Sequence, residues 1–212
     1  PQTFCIPTGT AIIGMLSAII GLDKKQYWQF FPENSYHLAV GVCKPIKKVV
    51  IPINTLKTTS PMNFSRFEEH KRTTMEFIKD GTFRIWFSWN DLERFQKLSQ
   101  MVKNHESYYT ISLGLAWNLA DYDYIGLFDG TSCSDSSKFI EINSIIHKDQ
   151  VIEIDFNDRV IYSTRIPVRM KTDGSREVEQ YSDYIFDNNG RLVRAKVNEY
   201  VQLANGDRIV LL

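Results

Sequence analysis

Apolar residues that recur at helical spacing, or alternate with polar ones, divide this 212-residue chain into an ordered series of predicted elements. Pro7-Thr8-Gly9-Thr10 followed by AIIGMLSAIIGL (Ala11 to Leu22) predicts a helix capped by Thr8 or Thr10. It is apolar on nearly every side and is therefore expected to be buried on most faces, with Gly14 and Gly21 allowing close packing and Gly21 ending it. A second short helical piece is predicted from Lys24 to Phe31, carrying Tyr27, Trp28, Phe30 and Phe31. The β-branched stretches Tyr36 to Val42 and Lys48 to Leu56 read as strands. Residues 57–71 are polar and broken by Pro61, which predicts a long loop or excursion. RTTMEFI and TFRIWFSW around Lys79-Asp80-Gly81 predict a hairpin about a D-G turn. Asn90, with Glu93 three residues on, reads as the cap of a helix over 91–105, whose apolar stripe is Leu92, Phe95, Leu98, Met101 and Val102.

From there to the end the pattern is strands and turns. YYTISLGLAWNLADYDYIGLFDG is aromatic-rich, and KFIEINSII, QVIEIDF, RVIYSTRIPV, EQYSDYIF and GRLVRAKVNEYVQL follow, with N-N-G and N-G-D turn signals between them. The order helix, strands, hairpin, helix, strand predicts an α+β fold: a domain like a split β-α-β unit over residues 1–127, then a β-rich C-terminal domain over 128–212. The longest apolar run, Ala11 to Leu22, falls short of the roughly 20 residues that span a bilayer, and neither a basic lead nor a small-residue cleavage site flanks it as in a signal peptide. No membrane partner is expected.

Composition narrows the class. With 43% hydrophobic residues, 11 Gly, 7 Pro and 3 Cys, the chain is neither collagen-like, nor disordered, nor a disulfide scaffold. Cys5, Cys43 and Cys133 are odd in number and far apart, which fits a reducing cytoplasm. His37, His70, His105 and His147 stand singly, so no metal and no cofactor is expected. The zero net charge conceals an asymmetry: 14 basic and 9 acidic residues lie up to Ala120, and 11 and 16 after it. Nine basic residues against four acidic ones fall between Lys44 and Arg84, the one region suited to phosphate. Within it Arg66, Lys71 and Arg72 lie near Phe64, Phe67 and His70, a mixture that serves phosphate contact plus base stacking. The plainer alternative is a solvated loop partly neutralised by Glu68 and Glu69.

Two weaker features complete the set. The N–H groups and hydroxyls at Thr8-Gly9-Thr10 could hold a phosphate, or merely cap a buried helix. Gly114 and Gly126, in aromatic stretches, could mark a bulge or a close backbone approach. For catalysis, His70-Lys71 and Lys103-Asn104-His105 with Tyr108 or Tyr109 are the acid–base groups that metal-free RNA cleavage would need. G-x-S-x-G, Walker A and G-x-G-x-x-G are absent from the sequence.

FCIPTGTAIIGMLSAIIGL resembles the segment near the start of the CRISPR-associated Cas-five proteins, RAMP-superfamily subunits of the type I Cascade effector. RTTMEFIKDGTFRIWF is similar to that family's R-x-T-x-E hairpin, with Arg72, Thr74 and Glu76 in place. YYTISLGLAW is similar to its tyrosine-to-Leu-Gly stretch, and IPVRM followed by YSDYIFDNNG to its C-terminal region. The resemblance covers most of the chain in order, and the GMLSAIIGL wording and the length look most like subtype I-B. It implies a ferredoxin-like (RRM/RAMP) N-terminal domain with a thumb hairpin and a small β-rich C-terminal domain. It also implies a first strand before the P-T segment, where this sequence begins, so that strand is expected to lie upstream or to be missing from the sheet. The implied role is antiviral defence: non-catalytic binding of the 5′ handle of CRISPR RNA, beside the large subunit and a backbone subunit of Cascade. The RNA-binding residues expected on this reading are Arg66, Lys71 and Arg72 in the thumb region, Lys47 and Lys48 at a strand edge, and Thr8 and Thr10 at the helix start. Subtype I-C relatives cleave precursor RNA with a Tyr/Lys/His set that has no matched positions here, which leaves metal-independent endoribonuclease activity as the alternative.

Overall fold

The first apolar run folds as a helix, as predicted, starting two residues before its hydrophobic stretch. In the computed structural model, which describes residues 2–56, 70–171 and 177–212, helix α1 spans Gly9–Ile20. Thr8 has extended backbone angles, and its hydroxyl oxygen accepts from the Ala11 N–H at 3.3 Å. Gly21, at φ +83°, closes the helix in the left-handed conformation that a side chain would resist. Only one 3-10 turn, Tyr27–Phe30, forms in the next segment. Gly14 meets no atom within 4 Å of where its Cβ would be, so it is not a packing glycine, and a Cβ at Gly9 would make only ordinary contact, with Leu38 at 3.5 Å.

Strands β1 (Tyr36–Val42), β2 (Lys47–Leu56), β3 (His70–Lys79) and β4 (Phe83–Trp89) come next, then helix α2 (Leu92–Lys103). Their pairing corrects the sequence expectation. The D-G turn exists, with Asp80 at φ +55°, but the strands on either side of it do not pair with each other. β4 pairs antiparallel with β1, Tyr36 opposite Trp89 through Val42 opposite Phe83, while β3 pairs with β2, Lys47 opposite Lys79 through Leu56 opposite His70. Burial explains the choice. Phe83 and Phe87 of β4 share a face with Leu38 and Val40 of β1, and together they pack on the cluster that holds α1. A β3–β4 hairpin would have left that face without its partner. The cap of α2 is likewise Asp91 rather than Asn90: its carboxylate accepts from the Arg94 N–H at 3.1 Å, while Asn90 donates its amide to the Asn34 carbonyl. Leu98 is buried and Phe95, Met101 and Val102 are half-buried, but Leu92 is exposed.

The segment 108–129, expected as strand, holds a single bridge between Ser112 and Leu119, and Gly114 (φ +80°) turns the chain there. After it come β5 (Gly130–Cys133), β6 (Ile140–Ile142), β7 (Ile146–His147), β8 (Val151–Ile154), β9 (Ile161–Met170), β10 (Val178–Asp187), β11 (Val193–Val197), β12 (Tyr200–Leu203) and β13 (Arg208–Ile209). They form three antiparallel three-stranded sheets ordered β7-β10-β9, β6-β11-β8 and β13-β12-β5. The fold is therefore mixed α and β, mostly strand, with two α-helices among the described residues. The main core joins Ile6 and Ile12 with Leu38 and Val40 of β1, Ile145, Ile166 of β9, and Tyr184 and Phe186 of β10, so residues on both sides of 127/128 share one cluster. Each fully buried Ile there contributes about 1.5–3 kcal/mol of transfer energy. The edge of β1 away from β4 is covered by two later segments, whose Ile145 and Leu212 N–H groups donate to the Val40 and Leu38 carbonyls at 2.7 and 2.8 Å.

Candidate nucleic-acid interface

β2 and β3 pair only with each other, forming a ten-rung hairpin arm with residues 57–69 between its strands. Arg66, Phe64 and Phe67 lie outside the described residues. Strand alternation sorts the remaining cations onto two faces. Lys48, Val50, Pro52, Asn54, Leu56, His70, Arg72 and Thr74 share one face, all exposed. Lys47, Lys71 and Lys79 stand exposed on the other, beside half-buried Val49, Ile53, Met75 and Phe77. Lys71 and Arg72, both expected to bind RNA, thus point to opposite sides of the arm. Lys47 and Lys79 face each other on one rung, an arrangement of like charges that costs stability unless an anion or solvent intervenes. From that rung to the Thr55–Lys71 rung is eight residues, about 27 Å. The two strands thus carry positive charge at both ends of a long exposed ladder.

Partners distinguish the cations. Among the described residues, Lys47, Lys71, Arg72 and Lys79 make no ion pair, whereas Lys48 is committed: its ammonium donates to Glu76 Oε2 and to the Thr3 carbonyl, each at 2.9 Å. Partial desolvation is the largest single influence and disfavours the Lys48 charge, but the bond to Glu76 and the neighbouring charges of Cys5 and Glu76 together outweigh it and raise the pKa. Glu76 in turn is held below the usual carboxylate range, first by Lys48 and then by the Thr3 N–H, which donates at 3.1 Å. This trio straps the start of the chain to the base of the arm. Thr8 is buried at the helix cap, and its hydroxyl lies 3.0 Å from that of the half-buried Thr10, so these hydroxyls serve each other and the helix. They are remote in sequence and element from the arm.

The histidines are not gathered. His70 ends the described part of the arm, whereas His105 follows α2 at φ +57°, stacked on Tyr122 with centroids 4.7 Å apart and its Nε2 3.2 Å from Asp121 Oδ1. Tyr108 and Tyr109 pack edge to face nearby in the chain and are exposed. They lead into a strongly apolar exposed stretch that includes Leu115, Trp117, Leu119, Ile125 and Leu127. Among the described residues no helix is long and apolar enough to cross a membrane, and no group of three or more His, Cys, Asp or Glu could hold a metal ion.

Sequence reasoning missed one polar centre. Asp207, in the loop before β13, accepts from Arg84 Nη1 (3.5 Å), Trp86 Nε1 (3.3 Å), Asn143 Nδ2 (3.1 Å) and Asn205 Nδ2 (2.9 Å). The partners are up to 123 residues apart, and no local pattern announces them.

No family model matches this chain, and no curated protein does. Among solved structures, a chain titled "CRISPR RNA-guided surveillance complex" is similar over 97% of this chain and 84% of its own, at 12% identity and a TM-score of 0.46. That likeness is too distant to assign a function.

Proposed function

We propose that this chain is a non-catalytic RNA-binding subunit of a type I Cascade effector of the Cas-five kind, holding the 5′ handle of the guide RNA. The observation that carries the reading is the β2–β3 arm: an exposed ladder whose cations Lys47, Lys71, Arg72 and Lys79 are without carboxylate partners among the described residues. Unneutralised cations on a rigid ribbon suit a polyanion that crosses it, and their placement on both faces suits a strand that wraps the arm. The sequence resemblance supplies the kind of RNA. The exposed apolar stretch from Leu115 to Leu127 suits burial against neighbouring subunits, the large and backbone subunits on this reading.

The test is handle-RNA binding by the full chain across a salt series. The double variant Lys71→Ala with Arg72→Ala is expected to weaken binding and to flatten the log–log salt slope by about 0.7 per lost phosphate contact. An unchanged slope rejects the placement of RNA on the arm. A second reading, metal-independent cleavage of precursor RNA, has the His105–Asp121 contact in its favour, since a carboxylate can orient an imidazole base. Cleavage of repeat RNA in chelator, lost in His105→Ala, would install it.

A further inference from the structure

The carboxylate centre at Asp207 lies beside an open groove of about 210 Å³, walled by Cys43, Arg84, Trp86, Asn143, Gly190 and Leu192. Its chemistry is unusually restricted. The Arg84 charge is met by Asp207, the Trp86 indole N–H is spent on the same carboxylate, and the Asn143 amide is used at both ends, donating to Asp207 and accepting from the Arg208 N–H at 2.8 Å. What remains is an aromatic ring seated against Gly41, the Arg84 guanidinium 5.9 Å from that ring, and one orphan: Arg84 Nε is buried without a hydrogen-bond partner. A buried unpaired N–H of a charged group is costly, and its cost falls when a ligand brings an acceptor. The bond from Arg84 Nη1 to Asp207 is long, at 3.5 Å, and the Arg84 side chain is 37% exposed, so the carboxylate holds the guanidinium only loosely.

Three properties select the ligand. The carboxylate opposes a phosphate. The orphan donor rejects a purely aliphatic group. The volume, below the roughly 300–1,000 Å³ of pockets that enclose whole cofactors, admits a single flat ring system. The geometry points to a nucleobase of single-stranded RNA, splayed from its neighbours, stacked on Trp86 and accepting from Arg84 through a ring nitrogen or carbonyl. This inference rests on the RNA-binding reading and adds to it a base-holding site on elements other than the strand of Lys71 and Arg72, built from β1, β4 and the turn at Gly190.

Cys43 makes the site observable, since it is exposed on the groove wall while Cys5 and Cys133 are half-buried. In the full chain, saturating octa-adenylate RNA is expected to slow iodoacetamide labelling of Cys43, and an abasic ribose-phosphate octamer is expected not to. Trp86→Ala should weaken octa-adenylate binding by roughly five- to a hundred-fold, the loss of one stacked base, with the salt slope unchanged. Trp86→Phe, which keeps the ring, should retain most of the affinity. If Trp86→Ala does not fold, Leu192→Trp, which fills the groove from its rim, replaces it, with the same loss expected. Binding that is undiminished by these variants, with Cys43 labelled at its original rate, overturns the base site and leaves the arm reading standing. Failure of every RNA to bind the wild-type chain overturns both. Equal protection of Cys43 by adenosine monophosphate alone would reassign the groove to a free nucleotide.

Discussion

The arm and the core are both made of antiparallel strands, yet they hold together by opposite means. In the core, Ile12, Val40 and Ile166 are almost wholly withdrawn from water, and β9 and β10 meet α1 and β1 through those side chains. In the arm, β2 and β3 keep their ladder while Val50, Ile51 and Leu56 stay exposed, so pairing rather than burial holds them. The lesson is that the core's side chains are constrained by the fold, whereas the arm's are nearly free of it, which makes their concentration of cations a statement about what binds there. The largest test of that contrast is a pair of truncations. Ile12→Ala should cost about 2–5 kcal/mol through the cavity it leaves. Val50→Ala should stay within about 0.5 kcal/mol. Urea unfolding measures both, and equal losses would show that the arm is as deeply built in as the core.

The core also contains polar groups whose removal should act in opposite directions. Asp187, 1% exposed, accepts from the Val160 N–H at 2.9 Å and the Asn189 N–H at 2.7 Å, fixing the N-N-G turn that brings Gly190 against the backbone of Cys43 and Lys44. Asp187→Ala strands those N–H groups and should cost about 1–3 kcal/mol. Tyr184 is the reverse case. Its hydroxyl is buried with no well-formed hydrogen bond, and burial pushes its pKa up to about 12 against a weak opposing pull from the Ser182 side chain. Tyr184→Phe should therefore raise stability, by at most about 1 kcal/mol, since only an unrewarded desolvation is removed. A destabilised Phe variant would mean that the hydroxyl has a partner in solution.

How much of this was legible from the chain follows the range of the interactions. β1 was readable residue for residue, and the first helix nearly so, with its cap narrowed to Thr8 or Thr10 and its end placed at Gly21, because caps, glycine and alternation act within a few positions. The partner of β3 was not. The D-G turn is a true local signal, but the choice between β2 and β4 was made by a hydrophobic face assembled from α1, β1 and β10. The stretch 108–129 has the composition of strands without neighbours to pair with. At the candidate site, the two-faced placement of Lys71 and Arg72 follows from alternation alone once the strand is granted. The commitment of Lys48 to Glu76 does not, since it needs the β2–β3 register, and the Arg84–Trp86 groove needs Asp207 from the far end of the chain.

The smallest expected effect tests where arm and body join. The Lys48–Glu76 pair is only partly buried and remains open to solvent, so it is screened by salt and adds little to stability. It should nevertheless leave a signature in acid. Lys48, followed by the Thr3 N–H, holds the Glu76 carboxyl below its ordinary value, so the unfolded chain takes up that proton at higher pH than the folded one. The contribution is therefore complete above the ordinary glutamate value and is lost as the pH falls through the lower, folded value. Glu76→Gln should lower stability slightly near neutrality and remove this part of the acid sensitivity, seen as urea midpoints of wild type and variant that differ near neutrality and converge as the pH drops. Because both chains share every other carboxylate, their difference isolates this one. The same loss should speed hydrogen exchange at the Thr3 amide before any in α1, since Thr3 donates to Glu76 while α1 is anchored in the core. Midpoints that stay parallel into acid would show that the strap does not form in solution, and the base of the arm would then carry Lys47, Lys48 and Lys79 all unpaired, strengthening its attraction for a polyanion rather than weakening it.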